Sequence, residues 1–428
     1  MTATPAPSEG RPDALVLGAG AVGLLTALSL QDRGLSVALI DRQPPGRAAS
    51  FGNAGVLSPG SIHPLARPGL WRQLPRMIAG REPGLRAPWR HLPAHARWGL
   101  AMLRRYASLE AIAASRDGLA ALTRDSAQRH RTLLERAGAG DLWSMPGFLK
   151  LFSTEAEAAA GRAEAAEYER RQIRHRLLDV TDLAELEPHL QGYAGALWTT
   201  EAGAVADPGA ACEAYARLFL DGGGRIETAA VRCLVPGRRG VAVETDAGRL
   251  SAPVTVVALG AWSARALAPL GYRIPLVAER GYHRHFAPVE GRPLGRPVHD
   301  VGGGYVVAPQ RRGLRLTSGT ELSPIDAPPT PVQLAKAEAR ARGRLPLGER
   351  VGEPWLGGRP TLPDSLPMIG PAPGHDGLWF AFGHQHVGFA TSAVTGALVA
   401  ALATGDAPPI GPAPYRPGRM AVGPVTAP

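Results

Sequence analysis

The chain has 428 residues, of which 45% are hydrophobic and 20% charged, the proportions of a soluble globular protein with room for two or three domains. Two cysteines, Cys212 and Cys233, are too few for a disulfide-stapled scaffold or a multi-cysteine zinc or iron–sulfur protein, and they fit a reducing compartment. The net charge is +10, and of 47 basic residues only Lys150 and Lys336 are lysines; no nucleic-acid motif accompanies the charge, so no nucleic-acid partner is expected.

The N-terminal MTATPAPSEGRPD is rich in Pro and Ala with no apolar core, and reads as a tail rather than a signal peptide. ALVLG is then a short apolar strand, LLTALSLQDRG has helical spacing with a stop at Gly34, and SVALID is a second strand ending at Asp41. This is one βαβ unit. Its turn carries Gly18-x-Gly20-x-x-Gly23. Gly18 permits the tight turn, Gly20 admits a pyrophosphate to the backbone, and Gly23 lets helix and strand pack closely. Ala21 and Val22 open the helix, whose free N–H groups favour negative charge. A carboxylate at Asp41 can accept hydrogen bonds from ribose hydroxyls. The motif does not separate NAD from FAD.

Residues 65–105 hold nine arginines against one acid, Glu82, with Trp71, Trp89 and Trp98 among them. Tryptophan prefers membrane–water interfaces and arginine is drawn to anionic lipid. Two readings stay open: a peripheral, salt-sensitive membrane contact made by 65–105, or a core of Trp and Leu with a solvated arginine face. Residues 111–139 and 154–190 read as helices, as does 210–224. RIETAAV and VAVETDAGRL read as strands, APVTVVALGAW as a buried strand, and 274–320 as alternating strands. A helix is expected around 332–344. The uncharged stretch 387–405, built of Gly, Ala, Thr and Ser, reads as a buried helix rather than a membrane span. The cofactor domain is expected to be discontinuous, comprising 1–57, 199–273 and 352–428. A second, interleaved domain would take 58–198 and 274–351.

Three further segments favour flavin. AASFGNAGVLSP (48–59) is a small-residue loop against which a large planar cofactor can lie. VTVVALGAWS (254–263) ends a strand in a small-residue turn at Gly260. FGHQHVGFATSAVTGALVAAL (382–402) opens a long helix whose N-terminus favours negative charge on a reduced ring.

In the fingerprint with Asp41-Arg42, and in SFGNAG (50–55), ERGYH (279–283), GGRPTLPDSLPMIG (357–370) and GHQHVG (383–388), the sequence resembles the D-amino-acid oxidase family of flavoproteins, in the branch of glycine oxidase and the D-amino-acid dehydrogenase small subunit. The resemblance implies an α/β fold: a Rossmann-like FAD-binding domain of the glutathione-reductase type interleaved with a mixed-sheet α+β substrate domain. It implies oxidation of an amino acid or related amine at the carbon bearing nitrogen. It assigns FAD contacts to the fingerprint, Asp41, Arg42, Ser50, Asn53, Ala54, Gly55, Val231, Gly260, Arg359, His384, Val387 and Gly388. No His or Cys lies in 47–57 and the C-terminal block has no Cys, so non-covalent FAD is expected. Gln385 stands where the family often has glycine.

The resemblance makes Arg359 the anchor of the substrate carboxylate, a task its planar fork suits. Tyr282 and His283 sit on one strand, where alternation would turn only one of them to the site. The hydroxyl would complete carboxylate binding; the imidazole would hold the amine neutral or bond the substrate. Arg280 would share the facing of Tyr282, and Tyr305 is a weaker candidate. His384 and His386 flank the flavin loop, where His386 would offset charge on reduced flavin or meet substrate. His-x-His has no third ligand nearby, so no metal is expected. Asp364 and Thr361 would order their loop or bond the ribityl chain. His63 would line the entrance or remain a surface-loop residue.

The reading is an FAD-dependent amino-acid dehydrogenase or oxidase that passes electrons to a quinone, a carrier protein or oxygen. It is expected to be cytoplasmic; the open alternatives include a peripheral contact at the inner membrane face through 65–105 and a homo- or hetero-oligomeric state. The alternatives are a subunit of a hetero-oligomeric amine, opine or hydroxyproline-type dehydrogenase, and a basic surface-binding protein that keeps FAD for structure.

Overall fold

Strand Ala14–Leu17 is buried on both faces, which is how the inner strand of a parallel sheet reads when helices and a second layer cover it. In the computed structural model, which describes residues 11–65, 74–105, 108–237 and 240–420, it lies inside a six-stranded sheet. The strand order is Arg225–Thr228, Val37–Asp41, Ala14–Leu17, Val254–Val257, Leu378–Phe382 and Met368–Pro371. Only the last pairing is antiparallel. Ala14 and Val16 face a core shared with helices Ala21–Gln31, Pro208–Asp221 and Gly388–Thr404. Leu15 and Leu17 face the opposite core, with Leu234 and Val243 of a three-stranded antiparallel sheet.

The apolar helix Gly388–Thr404 packs on Ala21–Gln31. A Cβ at Gly396 would stand 2.3 Å from the carbonyl oxygen of Leu25, so only glycine allows this approach. The stretch Gln385–Thr404 is long and apolar enough to cross a membrane, yet it is mostly buried inside the protein. Its expected place in the core is the one observed.

A ten-stranded mixed sheet forms the second layer system. Its longest strands, Val277–Pro288 and Leu347–Thr361, run antiparallel, with Glu279 opposite Arg359 and His283 opposite Trp355. Residues 352–361 thus belong to the larger sheet, and the boundary expected at 352 falls within a strand. The helix expected over 154–190 is interrupted. Glu155–Arg170 ends near Gln172, which has φ of 58°, and His175–Leu178 pairs with Gly195–Thr199.

Of the basic segment, residues 66–73, including Trp71, lie outside the described residues. Helix Leu92–Arg105 follows. Trp98 is buried and its indole N–H donates to the carbonyl of Thr361 at 3.1 Å. Trp89 is 76% exposed, and Ile78, Leu100, Leu103 and Leu109 are also exposed. One strand of this excursion, Leu85–Arg86, pairs with Thr320–Leu322.

Candidate active site

The glycine fingerprint is held by contacts that exclude side chains. Gly18 has φ of 110°, and a Cβ there would lie 2.4 Å from the carbonyl oxygen of Ala258. A Cβ on Gly23 would lie 1.8 Å from the carbonyl oxygen of Gly18. Gly20 differs: its nearest neighbour would be Ser50 Oγ at 3.4 Å, so its backbone opens onto a cavity. Asp41 Oδ2 accepts the Ala19 N–H at 2.7 Å and Ser50 Oγ accepts the Ala21 N–H at 2.9 Å. The Arg42 guanidinium stacks over Trp262 at 4.7 Å.

The loop 50–55 is fixed from the larger sheet. Arg315 Nη1 donates to the carbonyls of Phe51 and Asn53, at 2.7 and 2.5 Å. Burial lowers the pKa of this arginine to about 10. Asn53 Oδ1 accepts the Gly55 N–H at 2.8 Å. Gly55 takes φ of 75° with its Cα against the Val205 carbonyl. Gly23 and Gly55 therefore build the turns and do not line the cavity, whereas Ala21, Val22, Ser50, Asn53 and Ala54 do.

The cavity has a volume of 1540 Å³ and runs from this loop between the two large sheets. Val231 and Gly260 line one stretch of it, and His384, Val387 and Gly388 another. It exceeds the few hundred to about 1,000 Å³ usual for a small ligand, as a dinucleotide and a substrate together require.

Arg359 reaches the cavity from the long strand, enclosed by protein, and burial lowers its pKa. Its guanidinium lies across Gly281, where a Cβ would stand 2.4 Å from Nη2. Nη1 donates to Thr320 Oγ1 and Nη2 to the Ser318 carbonyl, both at 3.2 Å. Glu279 is buried beside it, and burial raises its pKa against the pull of Arg359.

The other candidates fall differently. The hydroxyl of Tyr282 is enclosed in a buried network. It accepts from Arg280 Nη2 at 2.9 Å and from the Thr330 N–H at 2.7 Å, and donates to Glu321 at 3.1 Å. Tyr282 touches the cavity wall, but its polar end is committed to the scaffold. Arg280 shares that facing, as alternation required. His283 is off the cavity, with its ring stacked on Trp355 at 5.0 Å and 19°. Burial beside Arg315 lowers its pKa to about 2, so this imidazole is neutral and away from the site. Tyr305 donates to Asp300 at 2.9 Å. Asp364 is clasped by Arg419 at 2.7 and 3.2 Å.

His386 lines the cavity and is exposed. Desolvation, with Arg359 adding repulsion, lowers its pKa to about 4. Without a bound anion it is neutral at pH 7 and offers a hydrogen bond to whatever fills the cavity. His384 is buried with Nε2 3.0 Å from Thr395 Oγ1, and desolvation lowers its pKa to about 3. Gln385 takes φ of 45°, the left-handed region that favours glycine. Among the described residues no group of three or more His, Cys, Asp or Glu is placed to hold a metal.

A family model for FAD-dependent oxidoreductases, DAO, matches residues 13–402. The chain belongs to the DAO family. It is 32% identical to a D-amino-acid oxidase of Bradyrhizobium diazoefficiens, over 96% of this chain and 99% of that protein. It is 31% identical to D-amino acid dehydrogenase 2 of Ralstonia nicotianae, over 94% and 98%. Glycine oxidase from Geobacillus kaustophilus has the same fold, with a TM-score of 0.74 at 24% identity over 96% and 99% of the two chains.

As a DAO family member the protein is an FAD-dependent oxidoreductase. The residues present fit that cofactor: the backbone at Gly20 is open, Asp41 stands at the end of its strand, and small residues line the loop 50–55. Sequence reasoning missed a polar cluster on the cavity wall. Lys150 is buried against Glu164 and donates to Tyr168 Oη at 3.0 Å, while His63 Nε2 lies 2.7 Å from Glu164. His63 therefore lines the cavity within an ion-pair cluster. The signal was a lysine in an arginine-rich chain, inside the apolar run FLKLF. Arg315 and Glu279 were also missed, since only register brings them to the loop and to Arg359.

Proposed function

We propose that this DAO enzyme oxidises an α-amino acid, or a related primary or secondary amine, to the imino acid. The observation that carries the reading is Arg359: a desolvated guanidinium, seated on Gly281, beside a cavity large enough for FAD and a substrate. Arg359 binds the substrate carboxylate and fixes the angle of Cα to the cofactor. FAD, when bound, supplies the two-electron oxidant that accepts a hydride from Cα. His386, neutral in the cavity wall, presents a hydrogen bond without adding charge. The names of the relatives favour a D-amino acid as the first substrate to try.

In this reading FAD is held non-covalently by the residues that line the cavity from Gly20 to Gly388. The six-stranded sheet belongs to a cofactor domain and the ten-stranded sheet to an interleaved substrate domain, with the division after Thr361. A quinone or carrier protein takes the electrons in preference to oxygen. The cytoplasmic protein meets an anionic membrane surface through residues 74–109. There Arg81, Arg90, Arg97, Arg104 and Arg105 are exposed among Trp89, Leu100, Leu103 and Leu109. Met77, Gly84 and Leu85 of the same excursion line the cavity.

The purified, flavin-loaded chain, mixed with D- or L-amino acids and a redox dye, should reduce the dye. It should release a 2-oxo acid and ammonia as the imine hydrolyses. Turnover only after addition of other subunits favours the hetero-oligomeric dehydrogenase. No turnover with any amino acid or amine opposes the proposal.

A further inference from the structure

We propose that Thr320 is a positioning residue for the substrate-carboxylate anchor, and that Glu279 sets the direction of its hydroxyl. The inference rests on the reading of Arg359 as that anchor. Thr320 Oγ1 donates to Glu279 Oε2 at 3.1 Å and accepts from Arg359 Nη1 at 3.2 Å. A hydroxyl has one proton. Once that proton is spent on the carboxylate, the oxygen lone pairs are left for the guanidinium. The three groups form a directed chain along the cavity wall.

The surroundings hold Thr320 still. Its N–H donates to the Gly84 carbonyl at 2.8 Å, and Thr320 pairs with Leu85. Gly281 forms the floor under the guanidinium and the Ser318 carbonyl takes Nη2. Glu279 and Arg359 are cross-strand partners, yet no ion pair within 4.0 Å joins them, while Thr320 bonds both. The arginine is thereby held without being neutralised by direct contact. A guanidinium clamped on Glu279 itself would offer a weaker fork to an incoming carboxylate.

The test uses flavin-loaded protein and isobutyrate, a carboxylate that carries no amine to oxidise. Its binding is read from the shift it causes in the visible flavin spectrum. Thr320→Val keeps the shape and removes the hydroxyl, and should weaken isobutyrate binding about tenfold, the scale of one hydrogen bond to a charged group. Thr320→Ser restores the hydroxyl and should bind within about twofold of the wild type. Glu279→Gln replaces an acceptor-only carboxylate with an amide that can donate to Oγ1 and turn the hydroxyl round, so isobutyrate binding should weaken. Unchanged affinity in Thr320→Val, no rescue by Thr320→Ser, or unchanged affinity in Glu279→Gln each overturns the inference. The last of these needs no folded Thr320→Val. A purely structural Thr320 would change stability and leave the isobutyrate affinity alone. Arg359→Ala separates the two readings: if it binds isobutyrate as the wild type does, the anchor itself is wrong and the inference falls with it.

Discussion

In the proposed reading Arg359 anchors the substrate carboxylate. Replacing it with alanine leaves FAD bound, because the cofactor loop is held by Arg315, Ser50 and Asp41 instead. The substrate loses its two-point partner. Apparent transition-state binding should fall by about 2–4 kcal/mol, seen chiefly as a raised KM. Arg359→Lys should recover only part, since a point charge cannot reproduce a planar fork. Unchanged kinetics in a fully flavinated Arg359→Ala enzyme would end this assignment. Gly281→Ala should behave similarly, because its methyl group would stand 2.4 Å from Nη2 and push the guanidinium off its seat. Wild-type kinetics in that variant would mean that the seat is not needed. At this scale the sequence was legible where a residue acts through its own local turn, as with Gly18, Gly20 and Asp41. It was not legible where a neighbouring strand decides. Trp355 covers His283, and Thr330 and Glu321 occupy the hydroxyl of Tyr282, all through long-range contacts.

Among the elements, the excursion 74–109 carries the most testable surface. Its exposed arginines and large apolar side chains fit an anionic lipid interface, whereas Trp98 is withdrawn into the core. Flavin-loaded protein should co-sediment with anionic liposomes at low salt and be released at high salt, since exposed charges are screened within about 10 Å at 0.1 M. Replacing Arg90, Arg97 and Arg104 together should abolish sedimentation without loss of flavin. Failure to bind at low salt, or binding insensitive to salt, would remove the membrane reading. The uncharged helix Gly388–Thr404 was legible because its composition left burial as the only economical solution. The boundary at 352 was not, because Leu347–Thr361 looks like a glycine-rich loop until its register with Val277–Pro288 is seen.

For the whole molecule, two sheets of unlike design line one large cavity, and buried neutral histidines lie among the helices and in the loop beside it. His130 is fully buried, 2.8 Å from both the Tyr215 hydroxyl and the Phe389 carbonyl, with a pKa lowered to about 4 by desolvation; His384 is lowered to about 3. The unfolded chain protonates these rings near their ordinary value of about 6.5, so it binds protons that the folded chain refuses. Stability is therefore complete above that pH and is lost as pH falls toward 4. Each ring contributes a slope of about 1.4 kcal/mol per pH unit inside that window. Urea unfolding at pH 7 and pH 5 should show a clear loss at the lower pH, and equal stability at both would contradict these assignments. The two-layer, interleaved organisation was legible in the βαβ unit, the mid-chain strands and the late glycine loop, while the place of the division near 352 depended on a pairing that no local pattern encodes. The central claim, that this enzyme draws a hydride from an amino acid into FAD, is tested most directly by adding D- and L-amino acids anaerobically to the purified yellow protein and following its visible absorbance. The account predicts bleaching by at least one amino acid, with a requirement for far higher concentrations in Arg359→Ala. A fully flavinated protein that no amino acid or amine of either hand bleaches would contradict it.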